Sequence, residues 1–320
     1  MQLRDPLSVT RVAVIGAGTI GASWAAHFLG QGMHVQAWDP APDGERRTRA
    51  FIDNAWDAVT RLGAVDGASP QRLSWHASVE GALDGAQFVQ ESAPEKREVK
   101  QELYRRFDQA LAGDVVMSSS TSGLIMSELQ AGRPGAARFV VGHPFNPPHL
   151  IPLVEVLGGR DTAPAAVDWA LSFYNAFGKK AIRLNKEVPG HLVNRLQAAL
   201  WREAMDAVAS GLAGVDDVDA AIAYGPGLRW GVMGPFRLCA LAGGPGGFGN
   251  FLDHFGPAIE DWWRDMRDVS LTPQVRAQLT AAADEAFGAR GIPALAAERD
   301  ALLLAMMETL AKTRREKGYD

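Results

Sequence analysis

The chain has 320 residues, of which 47% are hydrophobic and 22% are charged, and its formal net charge at pH 7 is −5. That length corresponds to about two domains, and the share of apolar residues excludes a protein that is mainly disordered. The acidic balance argues against nucleic acid as a main partner, because nucleic-acid-binding proteins present basic surfaces to the phosphates.

One cysteine, Cys239, occurs in the chain. A single thiol excludes an internal disulfide and a thiolate zinc cluster, and it fits a reducing compartment. The first residues lack the apolar core of a signal peptide, and no apolar run approaches the ~20 residues of a membrane helix. We therefore predict a soluble, cytoplasmic protein with no metal site and no membrane partner.

Strand-like and helix-like segments alternate through the first part of the chain. Short apolar, β-branched runs predict strands at residues 11–15, 34–39, 86–90, 114–117, 138–141, 153–157 and 181–184. Helical composition and spacing predict helices at residues 20–31, 43–63, 95–112 and 164–177. This alternation predicts an α/β domain with a doubly wound, mostly parallel sheet that helices cover on both faces.

The strand signal nearly disappears after Gly190. Apolar residues from Leu192 to Val208 form one stripe of a long helix, and residues 215–224, 272–287 and 291–316 also have helical patterns. Glycines and a proline at residues 243–247 interrupt regular structure. We place a hinge at Val188-Pro189-Gly190, which divides the chain into a first domain at residues 1–188 and an all-α domain at residues 189–320.

A glycine-rich turn follows the first predicted strand and opens a predicted helix. Its sequence is Gly16-Ala17-Gly18-Thr19-Ile20-Gly21. In a dinucleotide site Gly16 makes the tight turn, Gly18 lets the backbone approach a pyrophosphate, and Gly21 lets helix and strand pack closely. The helix N-terminus then offers its free N–H groups to the phosphates. We predict a dinucleotide site at these six residues, the alternative being a glycine turn without a ligand.

Asp39 ends the second predicted strand, 18 residues after Gly21. A carboxylate at that place accepts both ribose hydroxyls of NAD and repels the additional phosphate of NADP. The following Pro40-Ala41-Pro42 contains no arginine that would favour NADP. The pattern predicts NAD, the alternative being an ordinary surface aspartate in a turn.

His143 follows the predicted strand at residues 138–141, at the sheet edge where a doubly wound fold binds its ligand. An imidazole titrates near pH 6.5, which suits proton transfer from a hydroxyl. Glu155 lies inside the apolar run 153–156, where a carboxylate needs a partner. Pairing with His143 would provide one. The alternative is that His143 caps a turn and Glu155 meets solvent.

Two further polar positions are candidates for ligand binding. The run Ser118-Ser119-Ser120-Thr121-Ser122-Gly123 closes a predicted strand, and its hydroxyls could hold a substrate or the nicotinamide amide. Such runs are more often turn and cap residues. Asn194, on the first helix of the second domain, either binds substrate or is an exposed polar residue.

Several motifs in a fixed order make the chain resemble the 3-hydroxyacyl-CoA dehydrogenase superfamily over essentially its whole length. Besides the glycine turn and Asp39, they are Glu91-Ser92-Ala93-Pro94-Glu95 with Lys100, Ser120-Thr121-Ser122-Gly123-Leu124, Gly142-His143-Pro144-Phe145-Asn146-Pro147, Leu153-Val154-Glu155-Val156 and Pro189-Gly190-His191-Leu192-Val193-Asn194-Arg195. The resemblance implies a Rossmann-like first domain and an all-helical second domain that forms a homodimer.

The same resemblance implies roles for single residues. His143 would be the catalytic base, oriented by Glu155, while Ser122 and Asn194 would hold the substrate around its reacting oxygen. The residues implied along the nicotinamide and ribose of NAD are Ala93, Glu95, Lys100, Ser122 and Asn146.

Within the superfamily the chain is most similar to the branch that oxidises L-carnitine to 3-dehydrocarnitine. The similar segments are residues 37–42, 90–95, 200–204, 227–230, 241–244 and 255–257, whereas residues 147–149 and 235–239 depart from that pattern. A trimethylammonium group is usually held over aromatic faces. Trp230 or the pair Trp262 and Trp263 could provide them, or they pack in a core. Arg229 or Arg195 could meet the carboxylate, or pair with a neighbouring acid.

We therefore predict an NAD-dependent dehydrogenase that oxidises a secondary alcohol beta to a carboxylate, with L-carnitine as the preferred substrate. Other substrates for the same chemistry are a 3-hydroxyacyl-CoA, 3-hydroxybutyrate, or L-gulonate as in the lambda-crystallin-like branch. A different class is an NAD-binding structural protein of the crystallin kind.

Overall fold

The computed structural model describes residues 2–319 and divides into two compact units, Met1–Asn194 and Arg195–Asp320. The first unit contains eight strands, which are β1 Arg11–Ile15, β2 His34–Trp38, β3 Leu73–Trp75, β4 Phe88–Glu91, β5 Val116–Ser119, β6 Phe139–Pro144, β7 Leu153–Gly158 and β8 Lys180–Arg183. Its helices are α1 Thr19–Gly30, α2 Gly44–Arg61, α3 Val79–Leu83, α4 Arg97–Ala110, α5 Met126–Leu129 and α6 Pro164–Ala176.

The strands form one sheet in the order β3-β2-β1-β4-β5-β6-β7-β8. Neighbours are parallel except β6 and β7, so the predicted doubly wound, mostly parallel sheet is confirmed. The chain order reverses at β1, which has β2 on one side and β4 on the other. Ligands of such sheets bind beyond the carboxyl ends of the strands at this switch point.

The period-two alternation of β1 divides the core between the two faces of the sheet. Val12 and Val14 belong to one buried cluster, whereas Ala13 and Ile15 belong to another. Successive strand side chains point to opposite faces, and helices cover both faces here. This explains why the strand is apolar at every buried position.

Several details differ from the sequence-based expectation, among them four short helices that were not predicted, Val79–Leu83, Met126–Leu129, Pro226–Trp230 and Pro235–Ala242. The strand Leu73–Trp75 was not predicted, because three residues are too few to show a period. Strand β6 runs to Pro144, so His143 lies inside the strand and not beyond it. A further helix, Gly247–Asp265, was not predicted because glycines and the internal Pro257 hide its apolar spacing.

All regular secondary structure among the described residues of the second unit is helical. Helix α7, Val193–Ala209, begins at the end of the first unit, and the later helices are α8 Val215–Ala223, α9 Pro226–Trp230, α10 Pro235–Ala242, α11 Gly247–Asp265, α12 Pro273–Phe287 and α13 Ile292–Lys317. Leu304 is the one hydrophobic side chain of this unit that is buried among the described residues. Within residues 2–319, no helix combines the length and apolarity needed to cross a membrane.

Candidate active site

The glycine turn between β1 and α1 is shaped by close backbone approach. Gly16 has φ +86°, and a Cβ there would lie 2.7 Å from backbone atoms of Ser92 and Ala93. A Cβ on Gly21 would lie 1.8 Å from the carbonyl oxygen of Gly16. Both positions therefore require glycine for the turn itself, whether or not a ligand is bound.

Gly18 differs from these two glycines, because a Cβ placed on it would meet nothing within 4 Å. It precedes α1, which has no side-chain cap, so N–H groups of the first helical turn face an open cradle. Of the three glycines in the turn, Gly18 is therefore the one at which the protein itself leaves room for a side chain. These features fit the pyrophosphate of NAD.

Asp39 stands beside this cradle and connects it to the end of β2. Its Oδ2 accepts the N–H of Ala17 at 2.8 Å, and its Oδ1 accepts the N–H of Ala41 at 2.9 Å. The carboxylate is half-buried and each oxygen keeps further acceptor capacity. Its position is suited to accepting the hydroxyls of a ribose.

His143 and Glu155 lie directly opposite each other in the antiparallel register of β6 and β7. Opposite residues of an antiparallel pair project to the same face of the sheet. His143 Nδ1 donates to Glu155 Oε2 at 2.8 Å, and both side chains are buried. With Nδ1 protonated, the neutral ring carries its lone pair on Nε2, which is the form a proton acceptor needs.

The second oxygen of Glu155 is held by the start of α7. Oε1 accepts the N–H of Leu192 at 2.9 Å and the N–H of Val193 at 3.0 Å. Burial by itself raises the pKa of Glu155, but the hydrogen bonds from His143 and from these two N–H groups outweigh it. The pKa of Glu155 therefore lies below its ordinary value, and the group is a carboxylate at neutral pH.

Glu95 organises the loop that follows β5. Its Oε1 accepts the Thr121 hydroxyl at 2.7 Å and the N–H groups of Ser122 and Gly123 at 2.8 and 3.0 Å. Burial by itself raises the pKa of Glu95, but the hydrogen bond from Thr121 and the charge of Lys100 outweigh burial. The pKa of Glu95 therefore lies below its ordinary value. Glu95 thus sets the position of Ser122, whose side chain is exposed.

Lys100 is 1% exposed, and its ammonium contacts other groups of the protein. Its ammonium donates to Glu91 Oε1 at 2.7 Å and to the Ala93 carbonyl at 3.1 Å. Glu91, at the end of β4, also accepts from Ala93, Tyr104 and Ser119. The sequence pattern indicated Glu91 only as part of a motif, although a carboxylate directly after the predicted strand at residues 86–90 is a signal for such a network.

Asn146 follows the strand that carries His143, and Asn194 follows Val193, whose N–H donates to Glu155. Asn146 is exposed, two residues after the end of β6. Asn194 is half-exposed in the first turn of α7, directly after Val193. Both side chains are accessible to a ligand.

The remaining candidates belong to the second unit. Arg229 and Trp230 are on α9, and Trp230 is 46% exposed. Trp262 and Trp263 are on α11 and are also exposed, so core packing is not their role in the chain as described. Within residues 2–319, neither Arg195 nor Arg229 forms an ion pair.

Two family descriptions match the chain. "3-hydroxyacyl-CoA dehydrogenase, NAD binding domain" matches residues 11–188, and "3-hydroxyacyl-CoA dehydrogenase, C-terminal domain" matches residues 190–268. The chain belongs to the 3-hydroxyacyl-CoA dehydrogenase family. It is an NAD-dependent oxidoreductase, and the predicted resemblance and cofactor are confirmed.

Known relatives cover nearly the whole chain. The L-carnitine dehydrogenase of Streptomyces coelicolor is 52% identical over 93% of this chain and 94% of the relative. That of Nocardiopsis dassonvillei is 47% identical over 98% of this chain and 96% of the relative. A solved structure of 5-formyl-3-hydroxy-2-methylpyridine 4-carboxylic acid 5-dehydrogenase, an NAD⁺-dependent dismutase, is 30% identical, with a TM-score of 0.83 over 95% of this chain and 99% of that chain.

Proposed function

We propose that this enzyme oxidises L-carnitine to 3-dehydrocarnitine with NAD. The observation that carries the proposal is the buried His143–Glu155 pair, whose Nδ1–H···Oε2 hydrogen bond leaves the lone pair of Nε2 available to accept a proton. The choice of carnitine is supported by relatives named L-carnitine dehydrogenase that are 41–52% identical to this chain.

In the proposed reaction His143 Nε2 takes the proton of the 3-hydroxyl as the C–H bond at the same carbon breaks and the carbonyl forms. NAD, when bound, supplies the acceptor for the hydride. The imidazolium that results lies against the Glu155 carboxylate, which stabilises it, and the proton then passes to solvent. Ser122 and Asn194 hold the reacting oxygen in this proposal.

The cofactor would occupy the cradle at Gly18, with its ribose hydroxyls on Asp39. Ala93, Glu95 and Asn146 would lie along the nicotinamide ribose. Buried Lys100 would support that side indirectly, because its ammonium is already paired with Glu91. The two domains would be residues 1–188 for NAD and residues 189–320 for substrate and dimerisation.

The two ends of carnitine need different chemistry. Its carboxylate would pair with Arg229, which has no ion pair within residues 2–319. Its trimethylammonium would lie over an aromatic face, for which Trp230 is our candidate. Arg229→Lys and Trp230→Leu should each raise KM for L-carnitine while leaving the NAD dissociation constant unchanged. A loss of NAD affinity would contradict these assignments.

We also propose that a second copy of the chain covers the helical unit, and that the dimer is cytoplasmic. Phe236, Trp262 and Trp263 are 74%, 59% and 66% exposed. Phe236 and Trp263 line an apolar groove of about 400 Å³. An apolar surface of this kind is typical of an obligate interface. Sedimentation equilibrium should give twice the chain mass and Trp263→Arg should shift it toward the monomer, whereas a monomeric wild type would contradict the proposal.

The deciding experiment is NADH formation from NAD with a panel of hydroxy acids. The panel contains L-carnitine, D-carnitine, L-gulonate, 3-hydroxybutyrate and 3-hydroxybutyryl-CoA. We expect turnover with L-carnitine. Activity with another member alone would contradict L-carnitine as the substrate but not the reaction, and NAD binding without any turnover would favour a structural protein.

His143→Ala should abolish turnover while NAD affinity stays nearly intact. A parallel loss of turnover and NAD affinity would refute the role of His143 as the base.

A further inference from the structure

His191 has an unusual backbone in the first unit. Among the described residues it is the one non-glycine residue at positive φ, with φ +50°. Its side chain is 2% exposed. A left-handed histidine persists where surrounding contacts hold it, and such residues concentrate at functional sites. The next two residues, Leu192 and Val193, are those whose N–H groups donate to Glu155.

The ring of His191 reaches the loop that carries Ser122. Nε2 lies 3.0 Å from the carbonyl oxygen of Thr121. A carbonyl only accepts, so Nε2 is the protonated nitrogen. The N–H of the same peptide unit, that of Ser122, donates to Glu95 Oε1 at 2.8 Å. One peptide unit is therefore held at its C=O by His191 and at its N–H by Glu95.

The same ring packs against the histidine of the buried pair. The ring centroids of His191 and His143 are 5.2 Å apart, with an angle of 55° between the planes. Nδ1 of His191 is buried and has no hydrogen-bond partner among the described residues, so nothing there favours protonation of that nitrogen. Burial is the main reason that the pKa of His191 lies below its ordinary value. His191 is thus neutral beside a base that must accept a proton.

We propose that His191 is a positioning residue, which fixes the Thr121–Ser122 peptide unit relative to the His143–Glu155 pair. The assignment rests on the proposed function, in which Ser122 holds the reacting oxygen. The backbone that follows His191 is tied to Glu155, and its ring is tied to Thr121. A single residue therefore sets the distance between the proton acceptor and the loop that holds the substrate.

Two substitutions separate positioning from packing. His191→Phe keeps a ring against His143 but removes the donor to Thr121. His191→Gln has an amide donor at about the reach of Nε2 but no ring. Positioning predicts that the Phe variant loses about tenfold in kcat/KM for the hydroxy acid, which is the scale of one lost hydrogen bond, and that the Gln variant recovers most of this loss. Packing predicts the opposite order.

Both variants are assayed with the hydroxy acid that the wild type oxidises. If L-carnitine is not the substrate, the wild-type assay already shows it, separately from the effect of the substitutions. NAD dissociation constants should stay unchanged in both. A Phe variant with wild-type kcat/KM, a Gln variant worse than Phe, or a parallel loss of NAD affinity would each overturn the proposal.

A measurement on the wild type tests the same geometry without a substitution. Nitrogen-15 NMR of the imidazoles, with His191 assigned by its nuclear Overhauser contact to the His143 ring, reports which nitrogen carries hydrogen. We expect the Nε2–H form of His191 with an unprotonated Nδ1 at neutral pH. The Nδ1–H form would overturn the hydrogen bond to Thr121 and with it the proposal.

Discussion

Replacing Glu155 by glutamine tests whether the carboxylate selects the reactive form of His143. Glu155 accepts three N–H groups, from His143 on one oxygen and from Leu192 and Val193 on the other. A glutamine has only one oxygen, so it can serve only one of these two sides. The other side then faces an NH₂ group.

The structure decides which side keeps the oxygen. If the amide oxygen faces His143, its NH₂ opposes two buried backbone N–H groups, each of which costs about 1–3 kcal/mol when left without an acceptor. If the oxygen faces Leu192 and Val193, only His143 must adapt, which its ring does by moving its proton to Nε2. The second arrangement is therefore favoured, and it removes the Nε2 lone pair that accepts the substrate proton in the proposed reaction.

We expect Glu155→Gln to lower kcat about 10³-fold, equivalent to about 4 kcal/mol, because it inverts the tautomer and removes the charge that stabilises the imidazolium. The assay is the initial rate of NADH formation at saturating substrate, with NAD affinity measured in parallel. Glu187→Gln is the matched control. Glu187 also accepts a backbone N–H and a hydroxyl, both from Ser127, but it does not contact His143.

The dependence of Glu155 on His143 is tested most strictly in the His143→Ala background. If Glu155 acts through His143, the double variant should be no slower than His143→Ala alone. A Glu155→Gln enzyme within tenfold of wild type, or a full additional loss in the double variant, would refute the tautomer argument.

The remaining predictions concern the cofactor turn and a buried lysine. Gly18→Ala should leave the melting temperature unchanged but weaken NAD binding, because its Cβ enters the open cradle, whereas Gly21→Ala should destabilise the fold through its 1.8 Å approach to the Gly16 carbonyl. Asp39→Asn should raise the KM for NAD and improve the relative use of NADP, because the charge that repels the additional phosphate is removed. Burial lowers the pKa of Lys179 from 10.5 to about 7, so between these values the unfolded chain binds a proton that the folded chain does not. The free energy of unfolding should therefore rise from pH 7 to pH 9 by up to about 1.4 kcal/mol per pH unit, and Lys179→Met should remove that rise in urea titrations.

Each of these has a clear contrary outcome. Wild-type NAD affinity in Gly18→Ala would mean that the cradle is not the pyrophosphate site. An unchanged NADP to NAD ratio in Asp39→Asn would remove Asp39 from the ribose. The same pH dependence of unfolding in Lys179→Met and wild type would mean that Lys179 stays charged in the folded protein.

The local features of the site were readable from the sequence. The glycine turn, the strand before it and Asp39 after the next strand depend on backbone sterics and on interactions over a few tens of residues. A tight turn of this kind needs glycine at positions 16 and 21 wherever it occurs, so the sequence alone predicts the turn. The alternation of apolar runs likewise predicted the sheet, because burial on both faces leaves a direct trace in composition.

Only the tertiary structure decided which polar side chains meet. His143 and Glu155 are twelve residues apart, and their contact depends on β7 running antiparallel to β6 in one particular register, since a shift of one residue would turn the side chains to opposite faces. Lys100 was expected along the cofactor but is buried on Glu91, and His191 reaches Thr121 across 70 residues. The identity of a charged residue is the same whether its side chain faces a ligand or another charge. Long-range packing determines which of these partners the side chain meets.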